Sequence, residues 1–177
     1  DKDSHLVVNS GYAVLPAFEK FAAVEERQFW QRVAKDSLRL LGKNRFARWR
    51  LPADWMTLKD GAVAVDANRS PYFGYEAIRV PLYLLWAGEK NALQVFSNYL
   101  VFIDKLGYLP DRINLIDGSI SADEAPAGFY AIFAGCAEVV GQKKLAQKFR
   151  EKAAARIKTE PKNYFSHTLY LLSREAF

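Results

Sequence analysis

The stretch Tyr72–Gly88, YFGYEAIRVPLYLLWAG, is nearly all apolar or aromatic, yet it carries one acid, Glu76, and one base, Arg79, three residues apart. Isolated charges are costly to bury, so such a pair is either bonded internally as a structural ion pair or directed into a wet cleft. On a continuous helix from about Tyr75 to Trp86, extended back by one turn, Tyr72, Glu76, Arg79 and Tyr83 fall at i, i+4, i+7 and i+11. That places them on one polar and aromatic stripe. Pro81 works against this, because a proline inside a helix removes a hydrogen bond and clashes one turn back. A regular helix that starts only near Ile78–Pro81 leaves Glu76 at its mouth, where the helix N-terminus favours negative charge. Aromatic faces beside carboxylate and guanidinium groups also suit a sugar: the ring covers the C–H face of the pyranose and the charged groups take its hydroxyls. The residues alone leave the buried pair and the saccharide site both open.

Working outward, helical periodicity dominates and the helices come in pairs. Pro16–Val24 and Glu25–Leu41 form the first pair, opened by a proline suited to a first turn and stopped at Gly42. The second joins the quoted helix to Asn91–Leu106, closed by Gly107. The third runs over Pro126–Val140 and Gln142–Lys158, divided by Gly141, and a last amphipathic segment covers Asn163–Ala176. Between them, LKDGAVAV (58–65) predicts a turn with a short strand or two, and YLPDRINLIDGSIS (108–121) a short hairpin around Asp117–Gly118. YEAIRVPLYLLW and APAGFYAIFAGCAEVV are poorer in charge than EERQFWQRVAKDSLRLLGK and QKKLAQKFREKAAARIK. That alternation fits an α-hairpin toroid, in which apolar inner helices line a pocket and charged outer helices cover them.

The 177 residues fit a single domain over 1–177, half apolar and 14% aromatic, with no shift in composition to mark a boundary. The apolar runs stop short of the roughly 18–20 residues that span a bilayer, so no membrane span is expected. The polar start DKDSHLVVNSGY shows no secretory leader, although a cleaved one would leave no trace. The net charge of +5 gathers on the GQKKLAQKFREKAAARIK face, interleaved with alanines, which reads as a solvated helix surface rather than a nucleic-acid site. The single cysteine, Cys136, excludes an internal disulfide and Cys-rich zinc sites, and its apolar surroundings read as packing. His5 and His167 lack ligand spacing, so no metal is expected. Neither a P-loop, GxGxxG nor GxSxG occurs. Trp49 and Trp55 are read as core plugs or sugar platforms, and Trp86 as packing.

The segment PYFGYEAIRVPLYLLWAG resembles the Tyr-Asp-Ala-x-Arg-x-Pro motif of glycoside hydrolase family 8, most closely the bacterial cellulases that accompany cellulose synthesis. The likeness continues in order along the chain. LVVNSGYAVLPAFEKFA resembles the family's Asn-Pro-Ser-Tyr segment, with Ser10 where proline is common. WRLPADWMTL resembles the stretch before the motif, and DKLGYLPDRINLIDGSISADEAPAGFYAIFA the Gly-Tyr-Pro-Pro loop with its helix. NYFSHTLYLLSREAF is similar to the terminal Tyr-Tyr-x-x-x-Leu-x-Leu helix.

The resemblance implies an all-α fold, an (α/α)6 barrel of which this chain supplies roughly the C-terminal half, with short β-hairpins in the loops. It implies an endo-β-1,4-glucanase that hydrolyses its substrate with inversion, needs no cofactor and works in the periplasm or after secretion. Glu76 occupies the base position, Arg79 orients that carboxylate and keeps it ionised, and Tyr75, Tyr72, Asn9 and Tyr12 contact sugar. The partners implied are a β-1,4-glucan and the missing N-terminal half of the barrel, which carries the general acid. Glu76 departs from the family's usual Asp, so Asp60, Asp66 and Asp117 stay open as substitutes. Two alternatives stand beside this one: a non-catalytic glucan-binding relative that assists cellulose synthesis, and a hydrolase of another β-1,4 polymer such as chitosan or xylan.

Overall fold

The structure, a computed structural model, describes residues 5–175. In chain order it comprises β1 (Leu6–Val8), α1 (Leu15–Val24), α2 (Arg27–Lys43), β2 (Met56–Lys59), β3 (Ala62–Val65), β4 (Tyr72–Phe73) and α3 (Arg79–Trp86). There follow α4 (Lys90–Leu93), α5 (Ser97–Leu106), β5 (Ile113–Asn114), α6 (Ala127–Val139), α7 (Lys143–Arg156) and α8 (Tyr164–Arg174). The last segment expected from the sequence ends at Ala176, outside the described residues.

The helix pairs expected from the pattern form, with three corrections. Helix α2 runs through Gly42 to Lys43, because Gly42 lacks the positive φ that would end it and Asn44 takes the cap position. The 91–106 stretch is not one helix: α4 passes through a 3-10 turn at Gln94–Phe96 before α5 begins. Gly107 closes α5 in the left-handed region at φ +86°, as a C-terminal glycine does. The third correction concerns Tyr72 in the opening stretch, where the helix start itself falls in the Ile78–Pro81 range that Pro81 indicated. Helix α3 starts at Arg79, so Pro81 is its third residue, where the missing N–H has no partner to lose. Tyr72 lies on β4 instead of the helix, so the four-residue stripe is broken.

The Asp60–Gly61 turn has φ of +50° and +78° and joins β2 to β3 through the pair Lys59–Ala62. That is the two-residue loop whose backbone twist matches the strands it connects. Strand β1, absent from the expectations, adds antiparallel to β2 from Leu6–Leu58 to Val8–Met56. The second hairpin is looser than expected. β5 pairs with β4, Tyr72 opposite Asn114, and a single bridge from Ile113 to Ile120 closes the turn that contains Gly118.

Helix α6 lies between α7 and α8 and is buried along most of its length, whereas α7 buries Leu145, Ala146, Phe149 and Ala153 and turns its charges outward. The inner and outer characters read from the charge alternation are therefore real. Gly128 lets α6 approach α8: a Cβ there would sit 2.7 Å from both Leu169 Cβ and the Ser166 carbonyl. The Glu160 carboxylate accepts the first amide of α6, Ala127, at 3.2 Å and the Ser166 hydroxyl at 2.7 Å, satisfying a helix end inside the fold. Cys136 is fully buried, and burial pushes its thiol up in pKa. The innermost packing is aromatic. Phe133 meets Phe73, Phe96 and Tyr99 edge to face, so Phe73 of β4 is anchored directly before the 74–77 turn.

Candidate active site

The site grows from one turn. Residues 74–78 double back between β4 and α3, and the carboxylate of Asp54, itself buried, receives their amides. Asp54 Oδ1 accepts Gly74 N at 3.0 Å, Glu76 N at 3.1 Å and Ala77 N at 2.8 Å, while Oδ2 accepts the Ser70 hydroxyl at 3.0 Å. Burial raises the Asp54 pKa, outweighing these hydrogen bonds and the nearby Arg79 charge. The turn thus uses a carboxylate in place of helical partners to satisfy its amides, and Glu76 projects from it at the mouth of α3.

Two donors converge on Glu76 Oε2: the Arg79 guanidinium through Nη2, and Asn9 Nδ2 at 2.8 Å. Arg79 Nε also donates to the Glu76 carbonyl at 3.3 Å, so one guanidinium holds both the side chain and the main chain of the acid. The Glu76 side chain is 35% exposed and that of Arg79 20%. The pair is therefore neither sealed in the core nor free in solvent.

Asn9 is positioned by its own turn, since its Oδ1 accepts Gly11 N at 2.9 Å. Behind it, buried Asn44 donates to Ser10 Oγ at 2.7 Å and accepts Ala53 N at 2.8 Å, tying residues 9–12 to the segment that carries Asp54. Gly11 sits against the site itself. A Cβ there would lie 2.4 Å from the Glu76 carbonyl, 3.0 Å from Asn9 Oδ1 and 3.1 Å from Arg79 Nε.

Aromatic rings flank this cluster. The Arg79 guanidinium lies 4.9 Å over the ring of Tyr12, which is 60% exposed. Tyr75, 40% exposed, rests its ring on Phe129 of α6 and Phe165 of α8 and points its hydroxyl at Asp111, 3.4 Å away. Burial and the Asp111 charge raise its pKa. Of the residues singled out in the sequence, Glu76, Arg79, Asn9 and Tyr12 thus come together directly, and Tyr75 adjoins Glu76 in the turn. Tyr72 is separate, its ring 5.8 Å from the Arg112 guanidinium.

The other candidates fall elsewhere. Asp60 is at an exposed hairpin tip, Asp66 pairs with Arg69 at 3.2 Å, and Asp117 caps its own exposed turn by accepting Ser119 N. Trp49 is a core plug, buried against Phe102 and Tyr99 beneath Arg48. Trp55 lies under Arg69 and Trp86 donates to the Leu172 carbonyl. The sequence reading missed Asp54 and Asn44. Asp54 carried a signal, an acid in the otherwise apolar run LPADWM, the same anomaly that marked Glu76. Asn44 carried none.

Among the described residues no three His, Cys, Asp or Glu side chains gather as metal ligands, and no helix is long and apolar enough to cross a membrane. A carboxylate fixed by Arg and Asn and left partly exposed is chemically able to accept a proton.

The chain is 35% identical over 135 residues to the probable endoglucanase of Novacetimonas hansenii, a match that covers 74% of this chain and 39% of that protein. Its fold superimposes on the endo-beta-1,4-glucanase CMCax from Acetobacter xylinum with a TM-score of 0.79 and 29% identity, covering 98% of this chain and 52% of that one. The endo-1,4-D-glucanase from Vibrio fischeri ES114 shares the fold at a TM-score of 0.80 and 19% identity. The chain therefore spans about half the length of these relatives, or less, and the described helices make up about half of an (α/α)6 barrel. With the model for glycosyl hydrolases family 8 matching residues 1–176, the chain belongs to that family.

Proposed function

We propose that this chain supplies the base side of the cleft of an inverting endo-β-1,4-glucanase, with Glu76 as the general base. The observation that carries the reading is the state of Glu76: its Oε2 is held by Arg79 and Asn9 while the side chain stays 35% exposed. With Oε2 so engaged, Oε1 is the oxygen assigned to the attacking water. In the reaction, that water adds to the anomeric carbon as the glycosidic bond breaks. Glu76 takes the water's proton, and an acid outside this chain protonates the departing oxygen. In this geometry the two carboxyl groups stand roughly 6.5–9.5 Å apart to leave room for the water. Arg79 fixes the orientation of the Glu76 carboxylate, as a base requires. Tyr12 and Tyr75 offer ring faces to the pyranose units on either side. No cofactor enters, and the substrate class implies a periplasmic or secreted setting. The names of the matched relatives, endoglucanases among them, support the β-1,4-glucan as substrate.

The test is release of reducing ends from carboxymethylcellulose by the complete protein. Glu76→Gln is expected to lower the rate by about 10²–10⁴, the usual contribution of a general base. Newly formed ends should appear first as the α anomer by proton NMR. Unchanged activity in the variant would place the base on another residue. Binding without release would instead describe a glucan-binding protein, and release from chitosan or xylan alone would change the substrate.

A further inference from the structure

Between α2, α3 and the 3-10 turn at Gln94–Phe96 lies a pit of about 30 Å³ that the catalytic reading leaves unused. Leu41, Leu84 and Phe96, one from each element, are buried and give it an apolar floor. A water-sized group takes roughly 10–15 Å³ of such space, so the pit admits two or three, the size of a short branched alkyl group. Asn44 also lines it, but both ends of that amide are engaged: Nδ2 donates to Ser10 Oγ and Oδ1 accepts Ala53 N. Polar recognition at the rim falls to Arg45 and Arg50.

The local backbone brings these two cations together. Phe46 N donates to the Leu51 carbonyl at 2.8 Å and Leu51 N to the Phe46 carbonyl at 3.0 Å, closing a loop that sets Arg45 and Arg50 on the same rim. Arg50 reaches it at φ +56°, a backbone conformation costly for an arginine. Burial and the Arg50 charge lower the Arg45 pKa, the mark of like charges held close. Among the described residues no carboxylate pairs with either guanidinium, whereas Arg69, Arg79, Arg112, Arg150 and Arg156 each have one. A phosphodiester backbone would satisfy the arginines but has no alkyl group to seat in the pit, and a lipid acyl chain is far too long for it. An acidic peptide with an aliphatic residue meets both demands, and arginine clusters are common receptors of acidic motifs. We propose that the Arg45–Arg50 pit is a docking site for an acidic peptide segment of a partner protein, which seats one leucine- or valine-sized side chain between carboxylates held by the two guanidinium groups. Docking there requires neither Glu76 nor hydrolysis.

The test titrates the complete protein into a fluorescein-labelled Glu-Glu-Leu-Glu-Glu peptide at low ionic strength and reads anisotropy. A serine-centred peptide of equal charge is expected to bind the wild type about tenfold more weakly, a comparison free of folding effects. Arg45→Gln and Arg50→Gln should each weaken the leucine peptide about tenfold and flatten its salt dependence, with thermal midpoints close to wild type. Gly42 also lines the pit, and a Cβ added there meets no atom within 4 Å. Gly42→Leu therefore fills the entrance without strain and should abolish the preference for leucine over serine while both cations stay in place. Equal affinity of the wild type for the two peptides, unchanged affinity in folded arginine variants, or a leucine preference that survives Gly42→Leu would overturn the site. Tighter binding of duplex DNA or of phosphatidylglycerol vesicles through the same arginines would assign them to phosphate groups and overturn the peptide.

Discussion

Asp54 Oδ1 accepts the backbone amide of Glu76 at 3.1 Å, so an inaccessible carboxylate holds the main chain from which the accessible one projects. It takes the amides of Gly74 and Ala77 as well, and removing it would leave three amides without a partner. Asp54→Ala is expected to cost about 2–4 kcal/mol of unfolding free energy in urea, the range for stripping a charged acceptor from buried donors. Asp54→Asn keeps an oxygen for the three amides and should recover at least half of that loss.

The same residue gives a pH signature. Burial raises the folded-state pKa of Asp54 above its ordinary 3.8. The folded protein therefore holds this proton more tightly than the unfolded chain, and raising the pH from about 3.8 through the folded titration removes stability. Asp54→Asn lacks that proton. Wild-type stability minus that of Asp54→Asn should fall as the pH rises through this window and stay level above it, by denaturant titrations at several pH values. A difference that rises with pH would mean that the hydrogen bonds outweigh burial.

Gly11 links geometry to rate. A methyl group there meets the Glu76 carbonyl at 2.4 Å, a contact that real Cβ atoms do not make, with Asn9 and Arg79 close behind. The Glu76 turn has to move, and misplacement by about 1 Å costs on the order of a hundredfold in rate. Gly11→Ala is expected to lower kcat on carboxymethylcellulose by about that factor, with KM changed far less. Equal losses in both would instead point to damage in substrate binding.

What the sequence made legible follows from the range of each interaction. The helix pairs were readable because burial periodicity is local, and the Asp60–Gly61 hairpin because two positive φ angles demand those residue types. The Glu76 anomaly was readable because a charge in an apolar run has to be explained. The helix start at Arg79 was readable from Pro81, whereas the capture of the turn's amides by Asp54, 22 residues before Glu76, was not. Strand β1 depends on pairing with β2 about fifty residues away, and its three residues carry no pattern of their own. Tyr72 was drawn onto the helical stripe by spacing alone, and its partner Asn114 lies outside any local window.

Cys136 sits within α6, fully buried, with its thiol pushed up in pKa by desolvation. Reactivity requires both thiolate and access, and this side chain has neither. In the native protein, peptide mapping after iodoacetamide treatment is expected to show Cys136 unmodified, with full labelling after denaturation in urea. Rapid labelling of the native state would mean that α6 opens away from α7 and α8.

Arg79 makes two separate contacts to one residue, Nη2 to the Glu76 carboxylate and Nε to its carbonyl, while its guanidinium lies over Tyr12. A lysine carries the same charge but is a single compact donor without the planar fork, so it replaces one contact at a time. If Arg79 acted only through charge, Arg79→Lys would behave as wild type. If it positions the base, the variant should keep its thermal midpoint within a few degrees and lose about ten- to a hundredfold in kcat. Loss of the stacked guanidinium should also free the Tyr12 ring, which is 60% exposed already, and weaken oligosaccharide binding. Kinetics on carboxymethylcellulose beside calorimetric binding of a thio-linked oligosaccharide separate the two effects. A variant that loses binding while kcat holds would assign Arg79 to the sugar rather than to Glu76.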